Sequence, residues 1–273
     1  MRAPAYAKIN LALVVGPRRA DGKHEVVTVL QRVDLHDLVE VEPAEAGIAV
    51  DGFPGDTLVR RVLELFDRSG ASRRAWRAGI QKRIPVAAGL GGGSSDAATA
   101  LRLANELAEG TFSPGELHEL GAAIGSDVPF FLSPGAKLAT GDGTTLTPVE
   151  LPIDYWVVLA LAHDVRKAST AAVYAAVDAE AATQGFAERR GQVVDTLSGL
   201  REPRDLARLP RNELARTEGS AIGEELEELG AFRVDGSGAG PIEYGLFDDE
   251  EAARHAERAL RATARTWLAR PVP

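Results

Sequence analysis

A glycine-rich segment that runs directly into a helical sequence constrains this chain more than any other feature. The segment reads PVAAGLGGGSSDAA (residues 85–98), with glycines at positions 89, 91, 92 and 93. Glycine reaches positive φ and has no side chain to keep a ligand away from the backbone. From Asp96 to Leu107, strong helix formers carry apolar residues at helical spacing, which predicts a helix fed by this loop. The unpaired N–H groups at such a helix N-terminus favour binding of phosphate.

Composition and charge exclude several classes of protein. The chain has 273 residues, a formal net charge of −9 and no cysteine. The acidic excess argues against nucleic acid or an anionic membrane as partner, and the lack of cysteine excludes disulfides and thiolate metal sites. The first residues lack a signal-peptide pattern, and no stretch is long and apolar enough to span a bilayer. We therefore expect a cytoplasmic protein, as a monomer or homodimer, without a nucleic-acid or membrane partner.

Periodicity predicts strands and helices interleaved in an α+β order. Strands are predicted at 3–15, 25–42 (one or two strands), 46–53, 77–84 and 126–132, then in a turn-rich segment to about 148 and at 155–162, with short strands around a second glycine cluster at 232–247. Helices are predicted at 57–69, 96–107, 113–125, 170–183, 186–197, 213–229 and 250–268. A proline-containing stretch at 148–154 suggests two domains, 1–150 and 151–273.

Two common nucleotide motifs do not fit the glycine segment. A Walker A loop requires a lysine after its last glycine, and none follows here. A dinucleotide fingerprint, Gly-x-Gly-x-x-Gly, requires glycine as its sixth residue. That residue is Ser94 when counted from Gly89 and Asp96 when counted from Gly91. A flexible linker would need neither the strand before the loop nor the helix after it.

The segment does resemble the phosphate-binding motif of the GHMP kinases, the superfamily of galactokinase, homoserine kinase and mevalonate kinase. The resemblance implies a two-domain α+β fold with the active site in the interdomain cleft, and ATP and Mg²⁺ as cofactors. The implied ATP-binding residues are Pro85, Gly89, Leu90, Gly91, Gly92, Gly93, Ser94, Ser95, Asp56 and Lys82. Ser95, with Ser94 as a second choice, is the implied ligand of the Mg²⁺ that ATP brings.

The N-terminal strand and the segment GSDVPFFL supply the expected catalytic residues. Lys8 and Asn10 are two apart on a strand and so share one face. Taken alone, Lys8 fits a solvent-reaching edge lysine, and Asp127 fits a turn residue. The resemblance instead implies that Asp127 accepts or orients the proton of a substrate hydroxyl, and that Lys8 lies beside it and stabilises charge.

The implied substrate is a small molecule, a cytidine-diphosphate-linked alcohol of the non-mevalonate isoprenoid route. The residues implied to bind it are Asn10, Lys23, His24, Asp127, Ser169, Thr170, Gly236, Ser237 and Gly238. The chain departs from the family pattern at Lys23, where an aromatic residue usually stacks on the cytosine, and at Asp235, which replaces a serine. Two hypotheses follow: the cytidine-specific kinase, or another GHMP-type kinase that phosphorylates a different alcohol. A third, a nucleotide-binding protein without catalysis, is disfavoured because Lys8 and Asp127 are both present.

Overall fold

The computed structural model describes residues 1–68, 75–163, 170–177, 182–215 and 219–273. Within these ranges the strands are β1 (Arg2–Arg18), β2 (His24–Ala44), β3 (Ile48–Asp51), β4 (Ala75–Gln81), β5 (Ala136–Gly141), β6 (Thr145–Val149), β7 (Trp156–Ala162), β8 (Arg233–Gly236), β9 (Glu243–Phe247) and β10 (Ala264–Ala269). The helices are α1 (Leu58–Arg68), α2 (Gly92–Leu107), α3 (Pro114–Ile124), α4 (Val128–Leu132), α5 (Thr170–Ala175), α6 (Phe186–Ser198), α7 (Ala221–Glu228) and α8 (Glu250–Ala259), with 3₁₀ turns at Pro203–Arg208 and Leu260–Ala262. No helix in the described ranges combines the length and apolar composition that a bilayer crossing requires.

Contacts divide the chain into two compact units that alternate along the sequence. Unit 1 comprises Met1–Ala7, His36–Val86 and Gly91–Pro134, and unit 2 comprises Lys8–Leu35, Ala87–Leu90 and Gly135–Pro273. Strands β1 and β2 contribute residues to both units. The sequence suggested a single domain boundary near residue 150, whereas these contact-based units are interleaved along the chain. The domains 1–150 and 151–273 stay a prediction.

Unit 1 is built on a small sheet and the helices α1 and α2. The C-terminal half of β2 pairs antiparallel with β4, and β4 pairs parallel with β3. Helix α1 carries buried apolar residues at positions 59, 62, 63 and 66, the spacing of one helical face. These side chains share a core with Trp76 on β4 and Leu101 on α2, both fully buried.

Unit 2 contains two groups of paired strands. The N-terminal half of β2 pairs antiparallel with β5, and β5 pairs with β6. A separate antiparallel sheet has the order β10-β7-β9-β8. Side chains of α7 and α8 pack on one face of this sheet, where Leu226 and Ala256 join Val158 and Phe247 in a buried cluster.

Several predicted elements are confirmed near their predicted bounds, among them β1, β7, α1, α3 and α6. Helix α3 begins with the reciprocal hydrogen bonds of a capping box. The Ser113 hydroxyl accepts the Glu116 N–H at 3.4 Å, and the Glu116 carboxylate accepts the Ser113 N–H at 2.8 Å. The local sequence SPGE is sufficient to place this helix start.

Two predictions near the glycine segment are wrong in detail. Helix α2 begins at Gly92, four residues before the predicted start, because Gly91 adopts the left-handed conformation with φ of 69° and lets the helix begin inside the glycines. The apolar stretch predicted as a strand at 126–132 forms the short helix α4, with a proline in its first turn. Proline is pre-set for that position, and a run this short does not distinguish helix from strand.

The predicted C-terminal helix 250–268 is wrong in its second half. Helix α8 ends at Ala259, and residues 264–269 form β10, which pairs with β7. The buried residues Ala253, Ala256, Leu260 and Ala264 are spaced three or four apart, so the helical period continues past the end of the helix. In the predicted helix 213–229, only α7 from Ala221 is helical among described residues, and the predicted helix 170–183 is described in part, since residues 178–181 lie outside the described ranges.

Candidate functional site

The segment that leads into the glycine loop, Lys82–Ile84, is held by one buried carboxylate. Asp37 on β2 is fully buried and accepts the backbone N–H of Ile84 at 2.8 Å and the backbone N–H of Arg83. Its other oxygen accepts a hydrogen bond from the Lys82 ammonium. Three donors on one carboxylate fix the path of the chain just before Pro85.

Lys82 connects this lead-in segment to helix α2. Its Nζ also donates to Asp96 Oδ2 at 2.8 Å, one turn inside the helix. Burial raises the pKa of Asp96 to about 7, with the charge of Asp37 acting in the same direction and that of Lys82 against it. Asp37, Lys82 and Asp96, here named the acid-rich cluster, thus join the two ends of the glycine segment within unit 1. The sequence prediction made Lys82 an ATP ligand, whereas in this structure its ammonium is engaged by two carboxylates.

The first turn of α2 is tightly packed on its glycine side. A Cβ at Gly92 would lie 3.0 Å from Ile84 Cγ2, and one at Gly93 would lie 3.3 Å from Leu58 Cδ1. The N-cap Gly91 has no side chain to accept from the first N–H groups. The start of α2 therefore has the properties of an anion site, with close backbone packing and N–H groups that no capping side chain satisfies.

The two serines of the motif differ in burial. Ser95 is 1% exposed, whereas Ser94 is partly exposed. Among the described residues no group of three or more His, Asp or Glu side chains has the arrangement of a metal site. Mg²⁺ bound with ATP keeps waters and phosphate oxygens and takes only one or two protein ligands, so a serine hydroxyl fits it.

The middle of the glycine loop belongs to unit 2 and is fixed by backbone contacts there. The Lys8 N–H donates to the Leu90 carbonyl at 3.0 Å, and the Ile242 N–H donates to the Ala88 carbonyl at 3.2 Å. Gly89 has φ of 94°, and a Cβ there would lie 2.0 Å from the Ser237 carbonyl oxygen. Only glycine allows the loop to approach the second glycine cluster this closely.

Lys8 and Asn10 form a buried polar pair on β1, on one face as predicted. Lys8 Nζ donates to Asn10 Oδ1 at 2.6 Å, and both residues are at most 3% exposed. Asn10 Nδ2 donates to Thr28 Oγ1 at 2.7 Å, and the Thr28 hydroxyl donates to the Ala12 carbonyl at 2.6 Å. A lysine this buried is not the solvent-reaching edge lysine of the alternative interpretation.

The second glycine cluster lies against this pair within unit 2. The Asn10 N–H donates to Ser237 Oγ at 3.3 Å, and the Ser237 hydroxyl lies 3.0 Å from the Gly89 carbonyl. A Cβ at Gly238, where φ is 58°, would lie 3.4 Å from Lys8 Nζ. Asn212 Nδ2 donates to the carbonyls of Gly236 and Gly238 at 3.0 and 2.7 Å, which fixes the turn between them.

Sequence reasoning missed the ion pair behind this turn. Arg233 and Asp235 are buried and paired at 2.8 Å. The Arg233 guanidinium also donates to the carbonyls of Leu206, Leu209, Pro210 and Leu11. Burial raises the pKa of Asp235, while Arg233 and the N–H groups of Gly236 and Asn212 act against that rise. Arg233 and Asp235 are two apart on β8 and share a face, but the backbone groups that bind them come from distant parts of the chain, so no local pattern shows that the pair is buried.

Lys23 and His24 have separate surroundings. Lys23 Nζ lies 2.6 Å from Asp142 Oδ2, and although burial favours the neutral acid, hydrogen bonds from Lys23 and Thr144 lower the pKa of Asp142 to about 2. His24 Nδ1 lies 2.9 Å from the Gly16 carbonyl, and its ring is 5.7 Å from the Tyr174 ring with an interplanar angle of 32°. Tyr174 was not predicted as a site residue.

The remaining predicted residues lie on other elements or outside the described ranges. Asp56 accepts the N–H groups of Leu58, Val59 and Arg60 at 3.1–3.2 Å, which is the role of a helix N-cap for α1. Asp127 directly precedes α4 and is half-buried. Ser169 lies outside the described residues, and Thr170 is the first residue of α5.

Comparison with known proteins shows which family the chain belongs to. Residues 57–135 match the model of the GHMP kinases N terminal domain. The chain is 39% identical over 280 residues to 4-diphosphocytidyl-2-C-methyl-D-erythritol kinase of Pelotomaculum thermopropionicum, with 96% of this chain and 94% of that relative covered. It is 38% identical to the kinase of the same name from Geobacillus thermodenitrificans, over 94% of this chain and 91% of the relative. This chain belongs to the 4-diphosphocytidyl-2-C-methyl-D-erythritol kinase family.

Solved structures agree with that membership. The chain is similar to the crystal structure of a 4-(cytidine 5'-diphospho)-2C-methyl-D-erythritol kinase, with a TM-score of 0.80, 32% identity and full coverage of both chains. The Methanococcus jannaschii mevalonate kinase has a TM-score of 0.74 at 13% identity, over 100% of this chain and 98% of that chain, which supports the fold alone. The predicted α+β GHMP kinase fold is therefore confirmed, and the protein is a phosphotransferase of that family.

Proposed function

We propose that this protein transfers the γ-phosphoryl group of ATP to the 2-hydroxyl of 4-diphosphocytidyl-2-C-methyl-D-erythritol, in non-mevalonate isoprenoid precursor biosynthesis. The proposal rests on the start of helix α2, where no capping side chain accepts from the first backbone N–H groups. The chain that leads to this start is held at Asp37 and at Leu90. Such a fixed cradle of N–H groups suits the phosphates of a nucleotide. The relatives' shared name, at 38–39% identity, gives the acceptor.

The glycine segment is the proposed ATP-phosphate site. Residues 89–94 are proposed to supply backbone N–H groups; Pro85 before them is buried, and the Leu90 carbonyl is held by the Lys8 N–H. Lys82 and Asp56 support this site indirectly. The Lys82 ammonium is bound by Asp37 and Asp96, and the Asp56 carboxylate accepts backbone N–H groups at the start of α1. We propose that Ser94 rather than Ser95 reaches the Mg²⁺ that accompanies ATP, since the Ser95 side chain is buried in the helix.

Lys8 and Asp127 are the proposed catalytic residues. Phosphoryl transfer requires positioning and electrostatic stabilisation more than covalent chemistry from the protein. Asp127 would accept or orient the proton of the attacking hydroxyl, and the Lys8 ammonium, held by Asn10 at 2.6 Å, would stabilise the negative charge that develops on the oxygens. Asn10, through the same hydrogen bond, fixes the direction of the ammonium.

The base of the substrate is proposed to bind at His24. A carbonyl oxygen only accepts, so the Gly16 carbonyl places the proton of neutral His24 on Nδ1 and leaves Nε2 as an acceptor. Cytosine offers an amino donor for that nitrogen. Position 23 has no aromatic side chain, and Lys23 is paired with Asp142. The ring of Tyr174, which lies next to that of His24, provides the aromatic face instead. Thr170, Ser169 and the Gly236–Gly238 turn complete the proposed substrate site.

The Lys23–Asp142 pair is also the observation that favours the second candidate, a GHMP-type kinase that acts on a different alcohol. Product formation would be followed by ³¹P NMR with Mg·ATP and the cytidyl compound, beside the same alcohol without cytidine, mevalonate and homoserine. We expect turnover of the cytidyl compound alone. Turnover of another alcohol in preference to it would establish the second candidate.

The role of Asp127 can be tested with Asp127→Asn. We expect kcat to fall by about 100-fold or more, the scale of general acid–base catalysis, with the Kd for ATP nearly unchanged. Asp154→Asn, whose side chain is 97% exposed, is the control and should leave both values unaltered. An equal loss of kcat and ATP affinity would make Asp127 a structural residue. Because the reaction consumes cellular ATP, a cytoplasmic location is part of the same proposal; a monomer or homodimer stays a prediction.

A further inference from the structure

One buried group in unit 2 has no part in the proposed reaction although it contacts the strand that carries Lys8. Tyr244 on β9 is fully buried, and its hydroxyl donates to the Asn10 carbonyl at 2.9 Å. On the neighbouring strand β8, Arg233 Nη2 donates to the next carbonyl along β1, that of Leu11, at 2.8 Å. Two side chains from the C-terminal sheet therefore hold two successive peptide groups of β1.

These contacts lie directly behind the Lys8–Asn10 pair. Asn10 is bound through its carbonyl by Tyr244, through its N–H by Ser237 at 3.3 Å, and through its amide by Thr28 at 2.7 Å. Its side-chain oxygen, Oδ1, accepts from Lys8 Nζ at 2.6 Å and from the Ser237 hydroxyl at 3.3 Å. Asn10 thus binds the Lys8 ammonium, and Asn10 is itself held by three residues from separate parts of unit 2.

We propose that Tyr244 is a positioning residue, which holds Asn10 so that the Lys8 ammonium is fixed where the transferred phosphoryl group develops charge. The hydroxyl is a constant donor, because burial raises the pKa of Tyr244 far above the physiological range. Loss of the hydrogen bond frees the β1 backbone at Asn10, while every side chain proposed to bind ATP or substrate keeps its chemical identity. The expected effect on kcat rests on the proposed function, whereas the expected effect on the β1 backbone does not.

The chain offers a closely matched control. Tyr155, just before β7, is also fully buried in unit 2, and among the described residues its hydroxyl has no hydrogen-bond partner. Tyr155→Phe and Tyr244→Phe each remove one oxygen from a buried aromatic ring. They differ in that the Tyr244 oxygen contacts β1 and the Arg233 guanidinium, which itself binds β1, whereas the Tyr155 oxygen contacts neither through a hydrogen bond.

The kinetic arm compares kcat and KM of the two variants at matched fractions folded. We expect Tyr244→Phe to lower kcat by about tenfold or more, since a displacement of about 1 Å in a catalytic group can cost on the order of 100-fold. The KM values for ATP and for the alcohol should stay within about twofold of wild type. Tyr155→Phe should leave kcat within about twofold of wild type. Equal kcat for the two variants, whether lowered or retained, would overturn the proposal.

The second arm needs no substrate. Hydrogen–deuterium exchange, read by mass spectrometry, should become faster in peptides that cover residues 8–13 in Tyr244→Phe and unchanged there in Tyr155→Phe. If wild type phosphorylates none of the alcohols, the proposed function fails, and this arm still decides whether Tyr244 positions β1. Unchanged exchange in Tyr244→Phe, or faster exchange throughout unit 2, would contradict the positioning role.

Discussion

Each unit holds a buried charged cluster beside one of the two glycine segments, and the two clusters are built differently. In unit 1, the acid-rich cluster has two carboxylates, Asp37 and Asp96, for one lysine. In unit 2, Arg233 faces a single carboxylate, Asp235, and its Nη1 and Nη2 groups also donate to backbone carbonyls, while its Nε is buried without a hydrogen-bond partner among the described residues. The first cluster has an excess of one negative charge, and the second is balanced.

Hydrogen bonding of the carboxylates differs between the two clusters in the same way. Both Asp235 oxygens accept hydrogen bonds, from Arg233, Asn212 N and Gly236 N. Asp96 Oδ1 is buried and has no hydrogen-bond partner among the described residues. A buried charge is tolerated only when it is paired and hydrogen-bonded, so the excess acid responds by holding a proton near neutral pH. The acid-rich cluster should therefore be the pH-sensitive one, and the balanced pair should act as a fixed brace.

The largest effect is expected for Lys82→Met, which leaves two buried carboxylates without a cation. Breaking a buried ion pair on one side typically costs about 3–5 kcal/mol in the free energy of unfolding, which urea denaturation at pH 8 would measure. Arg77→Met removes a cation from the exposed pair with Asp51 at 3.0 Å and should cost less than about 1 kcal/mol. Similar losses in the two variants would remove the distinction between the cluster and a surface pair.

The pH dependence of stability tests the excess acid directly. The pKa of Asp96, about 7 in the folded protein, lies above its unfolded value of about 3.9. Between about pH 4 and pH 7 the folded protein binds a proton that the unfolded chain has released, so the free energy of unfolding falls as pH rises. The slope is at most about 1.4 kcal/mol per pH unit, and it ends above about pH 7.

Asp96→Asn is the variant that isolates this effect. Its free energy of unfolding, measured by urea titration at half-unit steps of pH, should lack the decline seen in wild type. Asp51→Asn, from the exposed pair, should retain the wild-type slope. Parallel curves for Asp96→Asn and wild type would show that another group binds the proton.

A smaller effect is expected for Asp235→Asn in the balanced cluster. Arg233 keeps its four carbonyl acceptors, so the variant loses one charged partner and gains an amide that does not match its hydrogen-bond donors. The free energy of unfolding should fall by about 1–3 kcal/mol. Urea denaturation beside Lys82→Met under the same conditions makes the comparison. If Asp235→Asn proved more costly than Lys82→Met, the balanced pair would be the more critical of the two.

The smallest effect is expected for Asp56→Ala, an acid satisfied by backbone N–H groups alone. Removal of an N-cap costs about 0.5–2 kcal/mol in the free energy of unfolding. The KM for ATP should stay within about twofold of wild type, because Asp56 faces the start of α1. A rise in KM with unchanged stability would instead support the nucleotide contact that the resemblance implies.

The sequence predicted the parts of the site that depend on local spacing. Gly89 and Gly91 do adopt positive φ, and Lys8 and Asn10 share a face because they are two apart on a strand. The start of α3 follows from Ser113 and Glu116 for the same reason. In each case the interacting residues are neighbours in the chain, so spacing alone places them.

Other predictions failed or stayed incomplete because the deciding partner is distant in sequence. The stretch 264–269 became a strand through pairing with β7, some hundred residues earlier, although its apolar spacing continued that of a helix. Lys23 was weighed as a base-stacking position, but its ion pair is with Asp142. Tyr174 and Tyr244 gave no signal, since a lone tyrosine in an apolar stretch indicates a core residue.

The sequence by itself determined that the chain has a glycine loop that resembles the phosphate-binding motif of the GHMP kinases, a helix after it, and a lysine and asparagine on one face of the first strand. Only the tertiary structure decided what holds them. Asp37 reaches the lead-in segment from 45 residues away, and Tyr244 reaches Asn10 from 234 residues away. Backbone periodicity encodes contacts within one element, whereas a buried hydrogen bond between elements depends on which surfaces the whole fold brings together.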